Sequence, residues 1–242
     1  MRLHAHGLSL LAVCLACSGC GGDGGPGQPD PIPGETIRIV DPAGALQPYA
    51  ADIRAVTGST LESADDLISV DGVTITIDAD ASRAIGGYGI GGFAPDGSTV
   101  EISIDAAFPG LEGILADRLS FTVAHELHHV ARWRGPGYGS TLLEAMVSEG
   151  LADHFGVELL GASPQPWSSA FPEGRTEELL DRARPLFDSG YDHPAWFFGT
   201  DPTLPRWTGY TLGFRLVERH KRANPGATAV SLVNTPAGAF RP

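Results

Sequence analysis

Residues 111–134 have the sequence LEGILADRLSFTVAHELHHVARWR, the longest stretch of helical periodicity in the chain. Its apolar side chains recur at helical intervals, which predicts a single helix with one apolar stripe. The stripe consists of Leu115, Leu119, Val123, Leu127 and Val130. The glycines and the proline of residues 135–137 predict the end of this helix. We therefore expect the helix to bury its stripe in a core and to use its other face for something else.

That other face carries the motif His-Glu-x-x-His at residues 125–129. Residues four apart on a helix lie one turn apart on the same face, so His125 and His129 can bind one metal ion. Zinc binds imidazole nitrogen, and a catalytic zinc site takes three protein ligands and keeps a position for water. Glu126 lies beside the first imidazole and can reach that water without binding the metal. His128 is an alternative to His129, although the four-residue spacing favours His129, and an exposed histidine-rich helix is the alternative to a metal site.

A second predicted helix, residues 141–160, offers the third ligand. It carries Glu149 and, one turn later, Asp153. The break after the first helix lets the chain reverse, so Glu149 can complete the site and Asp153 can accept the N–H of a ligating imidazole. A solvated helix face is the alternative for both carboxylates. Their neighbours are mostly small or apolar, however, and a carboxylate in such a stretch needs a partner. We therefore predict one Zn²⁺ per chain, bound by His125, His129 and Glu149.

Short strands precede these two helices. Alternating β-branched residues predict strands in three segments: residues 36–40, 73–77 and 99–104. Helical spacing predicts three further helices: residues 46–56, 176–187 and 208–222. Strands first and helices afterwards predict an α+β domain. In this arrangement a small N-terminal antiparallel sheet is followed by a helical half that carries the zinc site.

One glycine-rich segment imitates a nucleotide-binding motif. Gly87, Gly89 and Gly92 have the spacing G-x-G-x-x-G. A dinucleotide site needs a helix directly after these glycines, because the N-terminus of that helix binds the pyrophosphate. Here a Pro-Asp-Gly turn and a predicted strand follow instead. We therefore interpret residues 86–92 as a turn between strands.

The N-terminus has the pattern of a bacterial export signal. Arg2 precedes an apolar run that is too short to span a bilayer. Small residues surround Cys20, as in the lipobox where lipoproteins are cleaved and acylated, although Cys17 stands where that pattern prefers Leu. Cleavage before Cys17 and an ordinary cleaved signal are the alternatives. We expect a signal peptide with a lipobox at residues 1–20, lipidation of Cys20, and a Gly/Pro-rich tether at residues 21–34.

Charge and cysteine content exclude several function classes. The formal net charge is −13 and the chain has no basic stripe, so we predict that nucleic acid is not a partner. No cysteine follows Cys20, so the domain expected at residues 35–242 has neither an internal disulfide nor a thiol nucleophile. The expected location is the bacterial cell envelope, with the exported protein anchored to the membrane by lipid.

The motif pair His-Glu-x-x-His and Glu-x-x-x-Asp resembles the gluzincin metallopeptidases. Three segments look more closely like a bacterial family labelled as predicted zinc-dependent proteases: TVAHELHH at 122–129, SEGLADHF at 148–155 and GYTLGF at 209–214. This resemblance covers the chain from about residue 72 to the C-terminus. It implies a gluzincin-like fold and zinc-dependent hydrolysis of peptide or protein substrates.

The resemblance also implies roles for single residues. Glu126 is expected to be the general base. An oxyanion donor is needed as well, and Tyr210 falls within the Gly-Tyr-x-x-Gly segment, although a place in the core is an equal alternative for it. Four other side chains are candidates for that donor: His193, Tyr191, Tyr138 and His220. The strand predicted at residues 99–104 corresponds to the edge strand along which gluzincins bind substrate.

Two other functions remain open from the sequence. One is a zinc-binding lipoprotein without turnover, which would have no use for Glu126. The other is a zinc hydrolase that acts on a bond other than a peptide bond.

Overall fold

The computed structural model describes residues 36–242 of the 242-residue chain. The signal peptide predicted at residues 1–20, the lipidation site at Cys20 and the tether at residues 21–34 lie outside the described residues. Among residues 36–242, no helix combines the length and the apolarity needed to cross a membrane.

A four-stranded sheet forms the first part of the described chain. Its strands are β1 (Ile37–Val40), β2 (Thr74–Asp78), β3 (Ile90–Phe93) and β4 (Thr99–Ile104). They lie in the order β1-β2-β4-β3, with β1, β2 and β4 parallel and β3 antiparallel to β4. The sheet is therefore mixed, and the prediction of an antiparallel sheet is wrong in this respect. The physical reason is that a helix connects β1 to β2, and such a crossover makes successive strands parallel.

Strand β3 was not predicted, because its segment was interpreted as part of a glycine turn. Gly87 and Gly89 do lie in a turn, with φ values of 81° and 83°. Gly91 and Gly92 belong to the strand, which exists because it pairs with β4. Since β3 is the outer strand, β4 lies inside the sheet. The expectation that residues 99–104 form an edge strand is therefore wrong.

Helices dominate the rest of the fold, which confirms the α+β class. Six α-helices are present in residues 36–242: α1 (Ala50–Asp65), α2 (Leu111–Trp133), α3 (Leu142–Leu160), α4 (Glu173–Ala183), α5 (Thr208–Ala223) and α6 (Ala229–Leu232). Short helical turns occupy Gln47–Tyr49, Arg184–Leu186, Pro194–Phe198 and Ala237–Phe240. The predicted helices at 111–134 and 141–160 are confirmed as α2 and α3. Thr141 and Glu144 start α3 with a reciprocal capping box.

Helix α2 lies at the centre of the core. Its predicted apolar stripe is buried, and from Phe121 to Arg132 the other faces of the helix are buried as well. Helix α3 packs against α2 on one side and against α5 on another. The motif face of α2 is thus enclosed by protein, and the expected metal site lies inside the fold rather than on an exposed helix.

Two glycines let α3 and α5 approach closely. A Cβ atom added to Gly213 would overlap the carbonyl oxygen of Met146, and one added to Gly150 would overlap the backbone of Gly213. Only glycine permits such a backbone contact. Because Glu149 directly precedes Gly150, this crossing determines where the Glu149 carboxylate lies relative to α2.

Candidate metal centre

Three side chains converge at the centre of the molecule: His125, His129 and Glu149. Nε2 of His125 lies 3.0 Å from Nε2 of His129 and 3.1 Å from Oε2 of Glu149. Nε2 of His129 lies 3.4 Å from the same carboxylate oxygen. Donor atoms about 2.0–2.1 Å from one tetrahedral zinc ion are about 3.3 Å apart. The structure therefore brings together the three residues predicted as ligands, at spacings that suit zinc.

The charges at this centre also suit a cation. Glu149 and Asp153 are 5% and 0% exposed. Within residues 36–242 their ion-pair partners are the two histidines, with no lysine or arginine beside them. A buried carboxylate is costly unless it is paired or binds a metal. Two carboxylates facing two imidazoles leave a negative surplus that a divalent cation would neutralise.

The pKa values show the same attraction for positive charge. Burial lowers the pKa of His125, but the hydrogen bonds to Asp153 and Glu149 outweigh burial and raise it well above its ordinary value. Burial raises the pKa of Glu149, yet His129 and His125 hold it well below its ordinary range. The centre therefore stabilises a carboxylate and draws in either protons or a metal ion.

Asp153 is held by three hydrogen-bond donors. Oδ1 lies 2.9 Å from Nδ1 of His125 and 3.1 Å from Nε1 of Trp167, and Oδ2 lies 2.6 Å from the hydroxyl of Ser168. With its Nδ1 proton donated to Asp153, His125 keeps Nε2 as a free ligand atom. The contact between His125 and Asp153 is the one that the sequence analysis expected.

The contacts of Trp167 and Ser168 with Asp153 were not predicted from the sequence. Both residues lie between α3 and α4, outside any motif. A buried tryptophan needs an acceptor for its N–H, but that general rule does not say which acceptor. Only the packing of this connection against α3 brings the two donors to Asp153.

The other histidines near the motif do not belong to the cluster. His128 is buried against Phe155, with Nε2 directed at the carbonyl oxygen of Ala229 at 3.5 Å. His154 is also buried, stacks on Phe214 with ring centroids 4.0 Å apart, and contacts the Phe214 carbonyl oxygen.

Glu126 is buried next to the cluster but contributes no atom to it. Burial raises the pKa of its carboxyl group, while His125, His129 and a backbone hydrogen bond from Ala94 lower it, and the net shift is upward. The carboxylate faces Gly92 of β3: a Cβ atom added there would lie 2.5 Å from Oε1 of Glu126. The edge strand thus leaves a glycine-sized space for this side chain.

Comparison with known proteins adds a family to this geometry. Residues 104–241, more than half of the chain, match the model of the family described as "Predicted Zn-dependent protease (DUF2268)". The chain belongs to this family. The resemblance noted in the sequence is thereby confirmed as to family, whereas the gluzincin type stays a prediction.

A curated relative of the chain has no assigned function. The uncharacterized protein YjaZ of Bacillus subtilis (strain 168) is 29% identical over 130 residues. The match covers 50% of this chain and 49% of YjaZ, so the chain spans about half the length of that relative. No solved structure matches the chain.

An aromatic pocket opens beside Glu126 in this family member. Its walls include Phe121, Trp167, Trp207 and Tyr210. Trp207 has φ = 74°, a left-handed conformation that is strained for a residue with a bulky side chain. The pocket lies where a group bound next to Glu126 would be placed.

The structure separates the five candidates for an oxyanion donor. Tyr210 lines the pocket, and its hydroxyl makes no hydrogen bond within the described chain. Tyr138 donates its hydroxyl proton to Oε1 of Glu149 at 2.6 Å. Tyr191 and His193 face each other near Tyr138, with 3.4 Å between the Tyr191 hydroxyl and Nδ1 of His193. His220 lies elsewhere, against Phe240 and the carbonyl oxygen of Ala239.

Proposed function

We propose that this chain is a zinc metallopeptidase of the gluzincin type that hydrolyses peptide bonds. The observation that carries the proposal is the buried carboxylate of Glu126, which lies beside three converging donor atoms and supplies none of them. A site for metal storage or for a structural metal needs no such extra carboxylate. Membership of a family described as predicted zinc-dependent proteases supports the same reaction class.

His125, His129 and Glu149 would hold the zinc ion. Bound zinc supplies Lewis-acid chemistry, which acidifies water and polarises a carbonyl oxygen. Glu126 accepts the proton of the attacking water through its carboxylate and then delivers it to the nitrogen of the leaving amine. The raised pKa of Glu126 suits this double task, because a group titrating nearer neutrality can both accept and release a proton.

Tyr210 is proposed as the donor to the oxyanion that forms during attack. Its hydroxyl is free of protein partners in the described chain and borders the pocket shared with His125 and Glu126. Burial raises its pKa well above the ordinary value, so the hydroxyl keeps its proton and remains a donor. A donor without a protein partner can direct its hydrogen bond to the substrate.

An extended substrate is proposed to bind along β3. This strand pairs with β4 on one side, and no other described strand pairs with it. Its outer side accepts one backbone hydrogen bond, from the N–H of Ile85 to the carbonyl oxygen of Ile90. Beyond Ile90, an outer strand can offer backbone N–H and C=O groups to a peptide in extended conformation. Gly92 of β3 lies next to the Glu126 carboxylate, and the following residue, Phe93, is exposed to solvent. A peptide bound along this strand would therefore pass the proposed base.

We also propose that the protein is exported and anchored to a bacterial membrane through lipidated Cys20. The apolar run, the small residues around Cys20 and the glycine- and proline-rich tether support this location. Mass spectrometry of the mature N-terminus tests it. An acylated cysteine at position 20 is expected, and an unmodified N-terminus beyond residue 20 would contradict the proposal.

The proposed activity is tested by metal analysis together with a peptide-library cleavage assay on the purified full-length chain. We expect one zinc per chain, cleavage that stops when a strong chelator removes the metal, and recovery when zinc is restored. Zinc binding without cleavage of any peptide would instead favour a non-catalytic zinc-binding lipoprotein. Zinc-dependent hydrolysis of ester substrates alone would favour a hydrolase for non-peptide bonds.

A further inference from the structure

We infer that Tyr138 is a positioning residue for Glu149: its hydroxyl holds one carboxylate oxygen, so that the other alone faces the two imidazoles. The inference rests on the metal site of the proposed function. It assigns Tyr138, one of several candidate donors, to the support of a ligand rather than to the substrate.

The two oxygens of Glu149 have different partners. Oε1 accepts a hydrogen bond of 2.6 Å from the Tyr138 hydroxyl. Oε2 lies 3.1 Å from Nε2 of His125 and 3.4 Å from Nε2 of His129. A carboxylate that is hydrogen-bonded through one oxygen is restrained in rotation, and the other oxygen is presented to the metal in a single orientation. The Tyr138 hydroxyl is thereby committed to Glu149.

The backbone of Tyr138 is itself fixed by a buried polar network. Its carbonyl oxygen accepts a hydrogen bond of 2.9 Å from the hydroxyl of Ser148, the residue before Glu149. Arg132, which is 2% exposed, donates through Nε to the same hydroxyl at 3.2 Å. Its Nη1 donates to the carbonyl oxygens of Val233 and Thr235 near the C-terminus. Hydrogen bonds thus join the connection between α2 and α3 to Ser148, and Arg132 joins Ser148 to the C-terminal segment at Val233 and Thr235.

Local geometry permits this arrangement. Gly137 and Gly139 flank Tyr138 with φ values of 81° and 97°, which lets the short connection turn the tyrosine ring inward. The ring packs beside His129, with centroids 5.5 Å apart, and stacks near Trp133 at 6.4 Å. These aromatic contacts hold the ring while its hydroxyl donates to Glu149.

Replacing Tyr138 with phenylalanine keeps the ring and removes the donor. Oε1 of Glu149 then remains buried without its charge-assisted hydrogen bond. Loss of a contact that orients a metal ligand typically costs 10–100-fold in affinity. We expect the zinc dissociation constant of Tyr138→Phe to rise by about that factor, while cleavage at saturating zinc stays within a few-fold of the wild-type rate.

The test measures zinc affinity by chelator competition on the purified full-length chain, with Tyr49→Phe as the matched control. Tyr49 lies at the start of α1, and its hydroxyl makes no hydrogen bond within the described chain. The zinc affinity of the Tyr49→Phe variant should therefore equal that of the wild-type chain. Ser148→Ala removes the anchor of the Tyr138 backbone and should weaken zinc binding to a smaller degree. Cobalt(II) absorption adds a readout, because a carboxylate freed to bind through both oxygens raises the coordination number and weakens the visible bands.

Each outcome bears on the inference. A raised dissociation constant with a largely preserved rate at saturating zinc supports it. An unchanged dissociation constant with a reduced rate overturns it and makes Tyr138 a donor to substrate. If the wild-type chain binds zinc but cleaves no peptide, the proposed activity fails while the affinity test still decides the role of Tyr138. If the wild-type chain binds no zinc, both the site and the inference are wrong.

Discussion

Gly92→Ala should disable hydrolysis without removing the metal. Gly92 lies on β3 opposite the proposed base, and an added methyl group would lie 2.5 Å from Oε1 of Glu126 and 2.8 Å from Cγ2 of Thr122. Ordinary van der Waals contact needs about 3.5 Å. The Glu126 carboxylate or the strand must therefore move by about 1 Å. His125, His129 and Glu149 lie on helices, and none of the three heavy atoms nearest to the added atom belongs to them.

The size of the effect follows from that displacement. A misplacement of about 1 Å in a reacting group costs on the order of 10²-fold in rate. We expect kcat/KM for a cleaved peptide to fall by about that factor, with one zinc per chain retained. Steady-state kinetics and metal analysis on the same preparation measure both quantities, and the melting temperature shows whether the fold is intact.

A matched control exists in the same chain. A Cβ atom added to Gly113, on α2, would meet no heavy atom within 4 Å, so Gly113→Ala should keep the wild-type activity. Wild-type kcat/KM for Gly92→Ala would show that Glu126 does not need its present position, and the mechanism would be refuted. If Gly92→Ala loses zinc as well as activity, the substitution has disturbed the metal site or the fold and not only the position of Glu126.

Three further predictions concern the ligands, the base and the pocket. Glu126→Gln should keep full zinc occupancy while peptide hydrolysis falls by at least about 10²–10⁴-fold; near wild-type cleavage would contradict its role. Glu149→Ala should lower zinc affinity and activity together, whereas Asp153→Asn should cost about 10–100-fold in affinity or activity, as chelator competition can measure. Because φ of Trp207 is 74°, Trp207→Gly should be more stable than Trp207→Ala by about 1 kcal/mol in denaturant unfolding. Both Trp207 variants should cleave library peptides with larger side chains, and an unchanged preference would argue against this pocket as a substrate site.

The ligand set could be predicted from the sequence because it follows from residue spacing within single helices. Two histidines one helical turn apart share a face whatever surrounds them, so His125 and His129 could be paired from spacing alone. Glu149 and Asp153 were identifiable because a short break joins two long periodic segments, and carboxylates among apolar residues require partners. The boundaries of α2 and α3 followed from the same periodicity and from the glycines between them.

Contacts between distant parts of the chain could not be obtained in this way. Strand β3 has glycines where a strand pattern would show side chains, and it exists only because β4 pairs with it. Five candidate donors carried similar chemistry in the sequence. Only the tertiary structure distinguishes them. Tyr210 lines the pocket, the Tyr138 hydroxyl donates to Glu149, and His220 lies away from the site.

The sequence by itself therefore determined which helix carries the centre and which three side chains converge there, and it supplied the proposal that Glu126 is the base. The tertiary structure alone decided the surroundings: the outer position of β3 in the sheet, the glycine-sized space at Gly92, and the donors from Trp167 and Ser168 that hold Asp153. The reason is physical. Helical periodicity is encoded within a few neighbouring residues, whereas these contacts join segments far apart in the chain and arise only when the core packs.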